Sequence, residues 1–245
     1  MHARREDELR AVPEAELAGY LTERSGLPGP RGNLELADAF AAVADRETIL
    51  RFAHLDDEYL RFCGTEAVGR LVTAEPGDSS LVPLLRERAA DPLWRVREAA
   101  ARALQLIGDA EPARLRAIVA DWLTDADGYV RRAAVAGICE PRLLSDPATA
   151  SAALDACSSA TDWIGSLPAD RRRDPAVRNL RQALGYCWSV AVAASPAAGL
   201  VAFERLRTVD DPDIRWIVST NLTKARLRRI LEAEELTPLP PDESA

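Results

Sequence analysis

Groups able to make or break bonds are scarce in this 245-residue chain, which has two histidines, His2 and His54, and four cysteines, Cys63, Cys139, Cys157 and Cys187. The cysteines show neither a CxxC pair nor metal-ligand spacing. His2 lies beside the terminus, and His54, followed by Asp56-Asp57, reads as a charge contact at a helix end and not as a general base. No GxSxG or HExxH is present. The Gly/Pro-rich stretch SGLPGPRGN, Ser25 to Asn33, has no GK[ST] behind it and no strand before it, so it lacks the parts of a phosphate cradle and reads as an ordered connecting loop. No catalytic group, metal or cofactor is expected. Arginine beside tryptophan is the more promising chemistry: Trp94-Arg95 and Arg215-Trp216 each place a guanidinium next to an indole near a helix start, a pairing suited to non-covalent recognition.

These residues recur with a period. Five times an aliphatic residue is followed at once by arginine: Leu60-Arg61, Val96-Arg97, Val130-Arg131, Val177-Arg178 and Ile214-Arg215, at steps of 36, 34, 47 and 37 residues. Four copies carry an Asp three positions before the aliphatic residue: Asp57, Asp127, Asp174 and Asp211. A repeat of this length is one supersecondary unit, a helical hairpin that buries its apolar stripe only against the next copy. Residues 6–23 are expected to form a first helix, followed by helices over 34–44, 46–54 and 58–72. In the clearest unit Leu81–Ala90 is a helix, Asp91-Pro92 a turn with Asp91 as N-cap, and Val96, Ala99, Ala100, Ala103, Leu104 and Ile107 a single apolar face that Gly108 ends. Pro112–Leu123 with Val130–Ile138, Pro147–Leu167 with Pro175–Ala194, and Pro196–Arg207 with Ile214 onward repeat the plan, closed by Leu222–Leu236. No run of β-branched residues bounded by hairpin turns competes. The fold class is therefore all-α, one domain over residues 1–236, with a proline-rich tail, 237–245, expected to be disordered.

Composition limits the partners. The net charge of −8 disfavours long-range attraction to nucleic acid, although Arg171–Glu232 holds twelve basic and six acidic residues, so a basic C-terminal third stands on an acidic whole. Gln182–Phe203 runs 22 residues without a charge, but Pro196 interrupts it and its hydropathy is weak, so it reads as two buried helices and not a membrane span. With no signal-like N-terminus, the cysteines read as reduced core thiols of a cytoplasmic protein.

DPLWRVREAAARALQLIG (Asp91–Gly108) and DADGYVRRAAVAGI (Asp125–Ile138) resemble the second helices of HEAT repeats, a family that sets Asp in the turn and Arg six residues later; Asp91/Arg97 and Asp125/Arg131 match, and the other three copies are degenerate. SGLPGPRGNLELADAF, LGYCWSVAVAASP and DIRWIVSTNL are similar to segments of bacterial HEAT-like proteins. The resemblance implies a right-handed α-solenoid of about five degenerate helical pairs. It also implies a ladder of charge-assisted Asp–Arg bonds between neighbouring repeats. A looser resemblance joins the chain to helical-repeat DNA glycosylases for alkylated purines, which have an Asp one turn after a Trp and an Arg on a neighbouring repeat. Here Glu98 stands where that Asp would, one turn after Trp94, with Arg131 on the next repeat.

Residues off the apolar stripes should line a concave surface. The candidates are Trp94, Arg95, Glu98, Arg102, Tyr129, Arg131, Arg132, Arg178, Gln182, Arg215 and Trp216, with Gln105, Tyr186, Ser219 and Thr223 beside them. Trp122 and Trp163 are expected in the core. A lining of mixed charge, amide and aromatic groups suits a protein or peptide partner better than it suits phosphate tracking. The expectation is a non-enzymatic scaffold; a DNA-binding or glycosylase-like protein is the alternative.

Overall fold

The structure, a computed structural model, describes residues 2–235. The expected disordered tail lies outside them. Among the described residues every regular element is helical: α1 (His2–Arg10), α2 (Glu14–Glu23), α3 (Leu34–Val43), α4 (Arg46–Ala53), α5 (Glu58–Ala74), α6 (Leu81–Ala89), α7 (Trp94–Ala110), α8 (Pro112–Trp122), α9 (Gly128–Ile138), α10 (Pro147–Ser166), α11 (Pro175–Ala194), α12 (Pro196–Arg207), α13 (Pro212–Leu222) and α14 (Ala225–Glu235), with short 3-10 turns at Leu143–Ser145 and Arg171–Arg173. None is long and apolar enough to cross a membrane. The 22-residue uncharged stretch divides as expected, α11 ending at Ala194 and α12 starting at Pro196.

Contacts divide the chain into two compact units, Met1–Ile138 and Cys139–Ala245. In the first, α4 pairs with α5, α6 with α7 and α8 with α9, while α3, α5, α7 and α9 pack in succession. That succession is the stack of hairpins that the period implies. In the second, α10 packs on α11, α11 on α12, α13 and α14, and α12 on α13. Together the helices make an all-α repeat fold of solenoid type.

Local chemistry explains where helices start. Asn33, Asp45, Asp57, Asp146 and Asp211 each accept a hydrogen bond from a first-turn amide, satisfying donors the helix cannot. The recurrent Asp three positions before the aliphatic residue is thus a capping residue. Asp57 and Asp211 cap α5 and α13, and Asp127 accepts from the Tyr129 amide at 2.7 Å. Asp174 departs from the pattern, its carboxylate going to Arg171 at 2.9 Å.

Three expected boundaries move. Residues 6–23 are not one helix, because Pro13 has no amide to donate and its ring clashes with the preceding turn, so the chain breaks into α1 and α2. Gly108 does not end α7, which continues to Ala110; buried at the packed end of the helix, it costs less to keep helical than to expose. Likewise α7 starts at Trp94 with Leu93 in the capping position, and Asp91 caps the turn one step earlier by accepting from the Leu93 amide at 2.9 Å.

Close helix approach depends on small residues. A Cβ on Gly64 would lie 2.2 Å from the Ala53 amide nitrogen, and one on Gly69 would lie 2.4 Å from the Ala103 carbonyl oxygen. These glycines let α5 sit directly on α4 and α7. All four cysteines are buried and none is in a disulfide. Trp122 is buried, as expected of a core residue, but Trp163 is only half-buried, and the fully buried indole of the second unit is Trp188, whose Nε1 donates to Thr161 Oγ1 at 3.0 Å.

Candidate functional site

Trp94, Glu98 and Arg102 are spaced by four along α7, which puts them on one face, one turn apart. In the first unit this face meets two other elements. From α5 come Tyr59, Phe62 and Glu66; from α3 come Leu34 and Asp38. The loop Ser25–Asn33 closes the end. It is held by Asn33, whose amide donates to Ser25 O at 2.7 Å and whose side-chain Nδ2 donates to Arg24 O at 3.0 Å. The Tyr59 hydroxyl donates to Asn33 O at 2.6 Å, and burial pushes its ionisation up, so it remains a donor. Arg95 reaches across to Gly29 O at 3.1 Å and to Glu58 at 3.1 Å. The ordered connecting loop expected from sequence is therefore an anchored wall.

These elements enclose a cleft of about 480 Å³ whose walls include Leu34, Tyr59, Phe62, Trp94, Arg95 and Glu98. Its lining is mostly apolar. Trp94 is 50 % exposed and Leu34 42 %, both unusual for large apolar side chains on a folded helix, and the Arg95 guanidinium lies 4.4 Å from the Trp94 ring centroid. Glu98 makes no hydrogen bond or ion pair among the described residues. The cleft thus offers exposed aromatic surface, an uncommitted carboxylate and a rim arginine, Arg31.

One turn beyond Glu98 the same face turns inward. Arg102 Nε donates to Glu66 Oε2 at 2.9 Å, and its Nη2 donates to Glu66 Oε1 at 3.1 Å and to Asp38 Oδ1 at 2.5 Å. Glu66 is fully buried. Burial pushes its carboxyl up to about 7, against the pull of Arg102 and with the push of Asp38. Arg102 is itself raised, because the two carboxylates outweigh its own burial. Sequence reading missed Glu66 and Asp38; an acidic residue off the apolar stripe gives no sign of burial until its neighbours are known.

The remaining candidates of the first unit are structural. Arg131 is buried, and its Nε donates to Asp125 O at 2.6 Å. Arg97 Nη1 donates to Asp91 O at 2.7 Å, and Arg61 Nε to Leu55 O at 2.6 Å. In all three copies the recurrent arginine caps a carbonyl six residues earlier, in its own turn. A rung of the expected ladder between repeats is Arg61 Nη1 to Asp91 Oδ2 at 3.2 Å. To the arginine of their own turn, Asp91 and Asp125 contribute the carbonyl, and the Asp125 carboxylate goes to Arg86 on α6 at 2.5 Å. The Tyr129 ring lies 4.3 Å under Arg97, and Arg132 reaches Arg97 O at 3.5 Å, so both brace the α7–α9 contact.

In the second unit Arg178 and Gln182 are exposed and line a second cleft with Arg181. Trp216 is half-buried under the Arg181 guanidinium, 4.7 Å away, and Arg215 is exposed and paired with Asp210 at 2.6 Å. Tyr186, 45 % exposed, carries Arg226 against its ring and hydroxyl.

With the geometry in view, comparison with known proteins places the first unit. Residues 56–139 match the family model of HEAT repeats. Over that segment the fold is that of HEAT repeats. The crystal structure of AlkD2 from Streptococcus mutans superposes with a TM-score of 0.62 over 84 % of this chain and 97 % of that one, at 16 % identity. The structure of smu.31 from Streptococcus mutans UA159 gives 0.59 over 89 % and 98 %, at 17 % identity. At such identities the likeness is one of fold. No curated protein matches the chain in sequence. The HEAT-repeat segment contains α5, α7 and α9, so two of the three helices that wall the Trp94 cleft belong to it.

Proposed function

We propose that this HEAT-like protein is a non-enzymatic scaffold that holds a segment of another protein, seating an apolar side chain in the Trp94 cleft. The observation that carries the reading is the half-exposed indole of Trp94 in an apolar, aromatic-walled recess. Exposed apolar surface costs free energy in water, roughly 25 cal/mol per Å², which a partner recovers by covering it. Arg31, Arg95 and Glu98 supply both signs of charge at the rim, as a protein interface requires and a phosphate-tracking groove does not. Affinity purification tests the reading. With nuclease treatment, wild type is expected to recover a protein that the Trp94→Ala variant loses; recovery of nucleic acid alone contradicts it.

A second reading has its own observation: Trp94 and Glu98 line the same cleft, one turn apart, with Glu98 uncommitted. That is the arrangement implied by the resemblance to alkylpurine glycosylases, with Glu in place of Asp. A carboxylate beside aromatic faces would favour a cationic, alkylated base. Excision of such a base from duplex DNA, lost in Glu98→Gln, would support this second function; no excision and no duplex binding at low salt would remove it. Arg131→Ala is a poor probe here, since Arg131 is buried in its own turn.

A further inference from the structure

The second unit holds a cluster of arginines that the scaffold reading does not use. Arg172, in the 3-10 turn Arg171–Arg173, is pinned on all sides. Its Nη2 donates to Gly165 O at 2.6 Å and its Nε to Leu167 O at 2.8 Å; Nη1 donates to Asp211 and lies 3.6 Å from Asp213 Oδ2. Pairing with Asp211 holds its ionisation above the ordinary range for arginine and that of Asp211 below the usual carboxylate range. Arg181 Nη1 donates to Asp213 Oδ1 at 2.5 Å. The function of this lattice is positional, because it fixes the turn and, with it, the next residue, Arg173.

The Arg173 and Arg178 guanidinium groups make no ion pair or hydrogen bond among the described residues, and both residues are exposed. Arg178, Arg181 and Gln182 share one face of α11, at spacings of three and four. Together with Arg172, Arg173 and Asp213 they line a cleft of about 750 Å³. Asp213, the one acid in that lining, is committed to Arg181 and Arg172. Arg181 Nε is buried with no acceptor. The uncommitted charge of the cleft is thus two guanidinium groups. Each offers a planar fork of donors matched to tetrahedral oxyanions.

We propose that this cleft binds a phosphate monoester, a single dianionic group whose charge matches that of Arg173 and Arg178. A polyphosphate backbone fits less well. The chain's net charge of −8 repels an extended polyanion, while one phosphate needs only the local field of two arginines.

Trp216, stacked under Arg181, gives an intrinsic reporter. Phenyl phosphate, inorganic phosphate, phenyl sulfate and a phosphoserine hexapeptide would be titrated at low salt, by Trp fluorescence and by calorimetry. Phenyl phosphate is expected to bind at least about tenfold more tightly than the monoanionic phenyl sulfate, and Arg173→Ala/Arg178→Ala to weaken it by at least about tenfold. The double Lys variant, which keeps the charge but not the fork, is expected to fall between. Preference for phenyl phosphate or for the phosphopeptide tells a free metabolite from a phosphorylated protein, and either result supports the site. Both arginines are exposed, so circular dichroism should show the variants folded. Failure of wild type to bind phenyl phosphate, binding undiminished in the double Ala variant, or tighter arginine-dependent binding to a 20-base-pair duplex would each overturn the proposal.

Discussion

Glu66 has no exposed surface and sits between Arg102 and the Tyr59–Cys63 side of α5, so its protonation is linked to folding. Its carboxyl is raised to about 7 in the folded chain from an ordinary 4.5. The folded state therefore holds the proton more tightly than the unfolded state. The stability this contributes is fully present below pH 4.5 and is lost as pH rises through 7. Urea unfolding should show a midpoint that falls between pH 4.5 and 7, with Glu66→Gln flattening that part of the profile; a midpoint that rises over this window in wild type and not in the variant would reverse the sign. A structural residue and a recognition residue also separate at this scale. Arg131→Ala removes a buried donor from Asp125 O and should cost about 1–3 kcal/mol in urea unfolding. Trp94→Ala, at a half-exposed position, should cost less than about 1 kcal/mol while abolishing partner capture. Arg95 and Glu98 were legible as candidates because helical spacing takes them off the apolar stripe; Trp94 was legible only as the neighbour of Arg95 at a helix start, where core packing of its ring was the competing reading and its 50 % exposure decides against it. The carbonyl-capping role of Arg61, Arg97 and Arg131 was not legible, because a period shows which residues recur but not which atom they bind.

At the scale of elements, α5 is the piece on which the cleft depends. It is packed by α3, α4, α6 and α7, and carries Tyr59, Phe62 and Glu66. Its contact with α7 requires a bare backbone at Gly69. Gly69→Ala puts a methyl 2.4 Å from the Ala103 carbonyl oxygen and should cost about 1–3 kcal/mol, whereas Gly77→Ala, with nothing within 4 Å, should be near neutral. Equal effects at the two positions in chemical denaturation would mean that α5 and α7 do not approach this closely. Periodicity placed nearly every helix. It failed at Pro13, where apolar spacing continues across a residue that cannot, and at Gly108, where a breaker is carried along by the packing around it. The five N-capping Asp and Asn residues show why starts were easier to place than ends: a cap is a side chain visible in the sequence, while most helices here end where packing runs out.

For the whole molecule, the helical-pair period and the absence of competing β patterns sufficed for the fold class, because each hairpin can bury its stripe only on the next. The division at Ile138 was not visible, since the aliphatic–arginine pair recurs in sequence on both sides of it, at Val130-Arg131 and Val177-Arg178. The single domain expected over residues 1–236 becomes a calorimetric prediction: one cooperative transition for the intact chain. Two transitions, one of them surviving alone in a fragment ending at residue 138, would show that the units fold separately.

The claim on which the functional account rests is that the Trp94 cleft takes a protein segment. Its most direct test is selection of random peptides displayed on phage against the intact chain, with Trp94→Ala as counter-target. The account predicts enriched peptides that share an apolar anchor, bind wild type and lose at least about tenfold on Trp94→Ala. Enriched peptides indifferent to Trp94→Ala, or no enrichment from a chain that binds duplex DNA under the same conditions, would contradict it.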